Sequence, residues 1–218
     1  MKKYLSCLSL FVCMAFTGIA QSKTGLGVND PAAKKILDGV SAKFKSFKNV
    51  QATFTLKIEN AAGKNMGVKS GTVYMKGNKY RYSLSGTEVF SDGVNIWSLD
   101  KAAKEVTINK IDPSGSAITP QKLFTNFYDK DFLYRLNGEA NGKQEIELTP
   151  LDKSKPYFKF LLYVNKAAQT LNSTKVFMND GNRTTYSSGP MINNKIIPDD
   201  TFIFDIKKYP GVEVVDLR

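Results

Sequence analysis

The 218-residue chain contains no histidine, and both of its cysteines, Cys7 and Cys13, fall within the first twenty residues. Histidine is the commonest general base, nucleophile activator and metal ligand near neutral pH, and thiolates supply much of the remaining zinc chemistry. Ser-His-Asp catalysis, Cys-His catalysis and the usual zinc centres are therefore excluded, and no cofactor is expected. After residue 20 no apolar run approaches the roughly 20 residues that a membrane-spanning helix needs. No glycine-rich loop follows a strand and opens a helix, which removes the usual phosphate cradle of nucleotide-binding proteins. There is a single tryptophan, Trp97.

The opening MKKYLSCLSLFVCMAFTGIA places two lysines before an apolar run and ends on Gly18-Ile19-Ala20, small residues at the positions a signal peptidase reads. It predicts a cleaved export signal over 1–20 and a single domain over 21–218. Neither cysteine follows the small residue that a lipoprotein signal requires before its acylated cysteine, so the expected product is soluble. A processed chain without thiols or disulfides fits a periplasm. Without Lys2 and Lys3 the chain sets 29 Lys and Arg against 20 acids, a net charge of +9. That balance favours anionic headgroups or other acidic partners. Export, and the lack of a helix carrying a basic run, argue against nucleic acid.

Asp30 is a plausible N-cap with Pro31 at the first helical position, and Ile36, Leu37, Val40, Phe44 and Phe47 follow near helical spacing. This predicts an amphipathic helix of about four turns, interrupted at Gly39. From Val50 the period becomes two. VQATFTLKI alternates apolar and polar residues, and further short strands follow from SGTVYMKG to KEVTINKI. Thr119 and Pro120 then open a second short helix with Leu123, Phe124 and Phe127 on one side. The meander resumes from LYRLNGE through NRTTYSSG to a last strand, TFIFDI, and a tail, KKYPGVEVVDLR.

About eleven short strands and two helices cannot make a flat open sheet without exposing an apolar face. The expected fold is α+β, mainly antiparallel β: a strongly curved, incomplete β-barrel with helices covering its concave apolar face. A two-layer β-sandwich is the competing architecture, but it leaves the mid-chain helix without a role.

Carboxylate catalysis needs two acids at a defined separation. The candidate pairs are Glu145 with Glu147, Asp199 with Asp200, and Asp129 with Asp131. The first alternates with Ile146 and Leu148 and so points outward to solvent; the others read as loop or cap residues. Ser98-Leu-Asp-Lys101 has the spacing of a Ser-Lys dyad but lies at a strand end rather than in a helix.

The chain has fourteen phenylalanines and ten tyrosines, of which two and one fall within 1–20, and several sit on both faces of their strands. In YFKFLLYV, Phe158, Phe160, Leu162 and Val164 share one face, with Tyr157, Leu161 and Tyr163 on the other. Two apolar faces must both be covered, by helices or by a ligand.

Four segments resemble one family, the LolA family of periplasmic outer-membrane lipoprotein carriers. NVQATFTLKI is similar to its first strand, and FSDGVNIWSLD to its strand, Asp-Gly turn and strand ending in an aromatic. TPQKLF resembles the mid-chain Thr-Pro opening of a covering helix, and FIFDIKKYPGVEVVDLR the last strand, Pro-Gly turn and charged tail. The resemblance implies an apolar cavity for acyl chains, of lipoproteins or of another lipid. It also implies an inner-membrane ABC transporter as donor, an outer-membrane acceptor, a monomeric carrier and no catalysis. The cavity candidates are Phe54, Leu56, Tyr74, Tyr82, Phe90, Trp97, Phe124, Phe127, Phe158 and Phe160. Each would serve equally as ordinary core, and a half-barrel with a solid core that binds a protein partner is the other reading. One departure stands out: near the place where many members carry a lid-holding Arg this chain has Gly77, with Lys76, Lys79 and Arg81 close by.

Overall fold

A computed structural model describes residues 29–111 and 128–218. The expected leader, and Thr119, Pro120, Phe124 and Phe127 of the expected second helix, lie outside the described residues.

Helix α1 runs Pro31–Lys45. Asp30 caps it: the Ala32 N–H donates to its Oδ1 at 2.8 Å, and Pro31 occupies the first turn, where no N–H is needed. The expected interruption at Gly39 does not occur. A mid-helix glycine costs only about 1 kcal/mol against alanine, and burial of Ala33, Leu37 and Val40 along one stripe holds the helix through it.

Among the described residues twelve strands form one sheet. The first six are β1 (Asn49–Glu59), β2 (Asn65–Lys76), β3 (Lys79–Leu84), β4 (Thr87–Ser91), β5 (Asn95–Asp100) and β6 (Glu105–Lys110). After a one-turn helix, α2 (Tyr128–Asp131), come β7 (Phe132–Ala140), β8 (Lys143–Pro150), β9 (Tyr157–Asn165), β10 (Thr170–Met178), β11 (Arg183–Asn193) and β12 (Glu213–Asp216). The order is β12-β6-β5-β4-β3-β2-β1-β11-β10-β9-β8-β7. Two antiparallel meanders, β1 to β6 and β7 to β11, are thus joined by the β1–β11 ladder, in which Leu56 faces Tyr186 and Val50 faces Asn193.

The sheet does not close, and each end strand is occupied differently. At β7, the Tyr134 N–H donates to the Asn29 side chain and the Leu136 N–H to Asp30, while the Asp30 N–H returns a bond to the Tyr134 carbonyl. The residues that start α1 therefore cap an edge that would otherwise offer open ladder groups. At the other end β12 lies parallel to β6, with Val214 opposite Val106. Register shifts in β1, β7 and β10 supply the local bends that an incomplete barrel needs.

The C-terminal expectation is corrected. TFIFDI is not a strand but two 3-10 turns, Asp199–Phe202 and Ile206–Lys208, with Asp205 capping the second through the Lys207 N–H. Burial alternates only from Phe202 to Phe204: Phe202 is fully buried, Ile203 faces out and Phe204 packs inward, but Ile206, which a strand would turn inward with them, faces out. No ladder partner goes with that pattern. The strand is instead EVVD in the tail.

Candidate functional site

Residues directly opposite one another in a ladder share a face, so the register assigns both faces of the sheet. One row runs Leu162, Thr174, Tyr186, Leu56 across β9, β10, β11 and β1. Further rows place Val73, Met75, Tyr80, Tyr82 and Val89 on the same side. This is the inner face. Ala33, Leu37 and Val40 of α1 pack on its β7–β10 half with Phe132, Tyr134, Ile146, Leu148 and Phe160. Phe44 and Phe47, at the end of the helix, pack on the other half with Val50, Ala52, Met75 and Tyr80. One helix thus lies against both halves of the bent sheet.

Between those two clusters the inner face is less covered. Phe54, Tyr82, Leu84 and Met191 are half-buried, and Tyr186 is 38 % exposed. Gly71, opposite Phe54 and Leu84, makes room for the Phe54 ring, because a Cβ there would meet both that ring and the Ser83 carbonyl oxygen. Tyr80 and Tyr82 stack at 6.4 Å. Burial, then the neighbouring Tyr82, pushes the Tyr80 phenol up to about 12, against a hydrogen bond with Ser91. Burial also raises Tyr82 and Tyr186. These phenols stay neutral across the physiological range. Among the described residues, the inner-face positions of β1, β3, β9, β10 and β11 carry no charged side chain. Lys69, opposite Leu56 on β2, is a charge at the exposed end of the same face.

The outer face of β4 to β6 holds a separate core. Phe90, Trp97, Leu99, Val106 and Ile108 are buried under Phe204, Tyr209 and Val212 of the C-terminal segment. The ring of Phe90 lies edge-on to Phe204 at 5.9 Å and to Tyr209 at 6.3 Å.

The ten cavity candidates are therefore not brought together. Phe54, Leu56, Tyr82 and Phe160 lie on the inner face. Tyr74, Phe90 and Trp97 lie on the opposite face in one row, Tyr74 through Arg81 to Phe90 and Trp97. Phe158 is separated from Phe160 by a bulge: Met178 faces Tyr157 while Phe177 faces Lys159, so Phe158 is the extra residue. Tyr157 consequently packs on Phe160 at 4.9 Å, and Phe158 meets Phe177 on the outer face at 6.1 Å. Phe124 and Phe127 lie outside the described residues. Tyr186 was not singled out by sequence, since it sits in the polar stretch TTYSSG and gains its place only through pairing with Leu56.

Three of the candidate carboxylates, Glu145, Glu147 and Asp199, bond neighbouring side chains. Arg135 reaches Glu147 at 3.3 Å, and the Asn137 amide donates to Glu145 at 2.8 Å. Asp199 takes Lys76 at 2.9 Å and Lys79 at 3.3 Å, and the hydrogen bonds from these two lysines hold its carboxyl below the usual range. Ser98 lies on the inner face opposite Val89, whereas Lys101 pairs with Glu88, a residue of the outer face, so no dyad forms. Gly77 adopts φ +58, a left-handed turn conformation suited to glycine, between the two lysines that grip Asp199.

The architecture recurs in solved structures. An uncharacterized conserved protein from Thermus thermophilus superposes with a TM-score of 0.58 at 14% identity, covering 85% of this chain and 99% of that one. The lipoprotein LppX from Mycobacterium tuberculosis gives 0.51 at 12% identity, over 79% of this chain and 100% of that one. A LolA superfamily protein from Nitrosomonas europaea gives 0.44 at 14% identity, over 80% and 98%. At identities this low the first two speak to the fold alone. No curated protein matches the sequence. The family model described as outer membrane lipoprotein carrier protein LolA matches residues 45–205, most of the chain, and with the open, helix-covered sheet this places the chain in the LolA family.

Proposed function

We infer that the protein is a periplasmic carrier that shields lipoprotein acyl chains against its inner face and moves them from the inner to the outer membrane without catalysis. The observation that carries this reading is the apolar, aromatic surface formed by Phe54, Leu56, Tyr82 and Tyr186, with Lys69 at its exposed end and Tyr186 open to solvent. Burying acyl chains is worth roughly 0.8 kcal/mol per methylene, so unaided desorption of a multiply acylated protein into water is very slow. A dry apolar surface removes that barrier and needs no acid, base or metal, which accords with a chain lacking histidine. An inner-membrane ABC transporter as donor and an outer-membrane acceptor belong to the same reading, as does export through the leader at 1–20.

Carriage of another lipid is a second reading, and Gly77 favours it. Lys76 and Lys79, the basic residues flanking that position, bind Asp199, and Lys76 also donates to the Ile197 carbonyl at 3.3 Å. Both thus serve the C-terminal segment. Native mass spectrometry of the purified protein, together with displacement of a fluorescent acyl probe, tests both readings. Co-purifying lipoprotein supports the first and free lipid the second. Absence of any acyl-chain binding removes both.

A further inference from the structure

The outer face carries a second feature, at one end of strands β1, β9, β10 and β11. Lys159, Phe177, Arg183 and Glu59 form a row there. The Phe177 ring has the Lys159 Nζ at 4.5 Å, with the Lys175 Nζ and the Arg183 guanidinium each at 5.8 Å. Glu59 is taken by Lys57 and Lys175, both at 3.0 Å. Lys159 and Arg183 have no acidic partner among the described residues. Exposed apolar side chains flank this cluster: Phe158 at 48 %, and Met66 and Val68 on β2 at 60 % and 58 %.

The position matters as much as the composition. Arg183 and Glu59 stand three residues along their strands from Tyr186 and Leu56, about 10 Å, so the patch rims the end at which the inner face is open. The other end is packed by Phe44 and Phe47 against Val50 and Tyr80.

We propose that this rim docks on an anionic phospholipid surface, with Lys159, Lys175 and Arg183 on headgroup phosphates and Phe158 at the interface, turning the open end of the inner face toward the bilayer. Cations beside exposed rings suit the headgroup region, where charge attraction and partial burial of aromatics act together. The patch lies on the outward face of the sheet. What the docked mouth exchanges rests on the carrier reading; the docking itself does not.

The test is co-sedimentation of the protein, recovered from the producing cell after any processing of its leader, with two vesicle types. One is phosphatidylcholine alone and the other phosphatidylcholine mixed with phosphatidylglycerol. Binding is expected only to the mixed vesicles and should weaken with added salt. Lys159→Ala with Arg183→Ala should reduce it roughly thirtyfold. A charge-matched control, Lys48→Ala with Lys110→Ala at the opposite end of the sheet, should leave it within twofold of wild type. Phe158→Ala should weaken it without changing the melting temperature. Equal binding to both vesicle types, or equal losses in both double variants, overturns the proposal, as does retention on polyglutamate without vesicle binding. Tyr186→Asn separates the two readings, because it should weaken acyl-probe capture and, adding no charge, leave vesicle binding intact.

Discussion

The Tyr209 hydroxyl donates to Oε2 of Glu88 at 3.1 Å, joining the C-terminal segment to β4 across 121 positions of sequence. Glu88 is buried, and Arg81 bonds the same oxygen at 2.8 Å while Lys101 pairs with the other. The Arg81 guanidinium also lies over the Phe90 ring, 4.7 Å from its centre. This carboxylate fastens the segment that covers Trp97 and Leu99. Glu88→Ala is expected to cost about 2 kcal/mol in urea unfolding, the scale of hydrogen bonds to charged partners. Tyr209→Phe should cost less, since Arg81 and Lys101 remain.

The same group sets an acid limit. Burial opposes its charge, but hydrogen bonds from Lys101 and Arg81 outweigh burial and hold its pKa below the ordinary 4.5. A folded-state pKa below the unfolded value contributes stability that is complete above the unfolded pKa and lost as pH falls through the folded one. Melting temperature should therefore fall as pH drops below about 4.5, and the fall should be shallower in Glu88→Gln. A wild-type slope in that variant would assign the acid limit to other carboxylates.

Trp97 and Tyr82 sit on opposite faces of the sheet, so their substitutions should separate stability from capture. Trp97→Ala empties a buried site under the C-terminal segment and should cost about 3 kcal/mol or more, with acyl-probe capacity per folded molecule unchanged. Tyr82→Asp should abolish capture. Because Trp97 is the single tryptophan, a brominated acyl chain bound on the inner face should leave intrinsic fluorescence unquenched. Strong quenching would place the chain on the outer face.

Gly71 holds the Phe54 ring in place by having no side chain of its own. Gly71→Val should destabilise the fold by about 1–3 kcal/mol through overpacking, and it should also weaken probe capture by displacing Phe54. Unchanged stability with normal capture would show that β3 can give way.

Asp30 serves the α1 cap and the β7 edge together, and its bond from the Leu136 N–H, followed by those at the helix start, keeps its carboxyl low. Asp30→Ala is expected to cost about 1–2 kcal/mol. Hydrogen exchange should accelerate at the Leu136 and Ala32 amides first. Acceleration confined to Ala32 would reduce Asp30 to a cap alone.

Much of the local structure was legible in the chain. Asp30 and Pro31 marked the start of α1, β8 and β9 fall where alternation put them, and the missing histidine removed whole classes of chemistry. Glycine at 39 misled because propensity is a small term beside helix packing. TFIFDI misled because burial can alternate without a ladder partner.

By itself the sequence determined a period-two chain with apolar residues on both faces, and it bounded the function to something that works without histidine chemistry. Tertiary structure decided which face is inner. That choice rests on the β1–β11 ladder, which pairs residues more than a hundred positions apart, and on which segments then cover each side. Trp97 shows the reason: the Asp92-Gly93 turn and its two strands read the same either way, and only the C-terminal segment lying over it makes Trp97 core of the outer face. Alternation gives a strand two faces, but burial is a property of what packs against them.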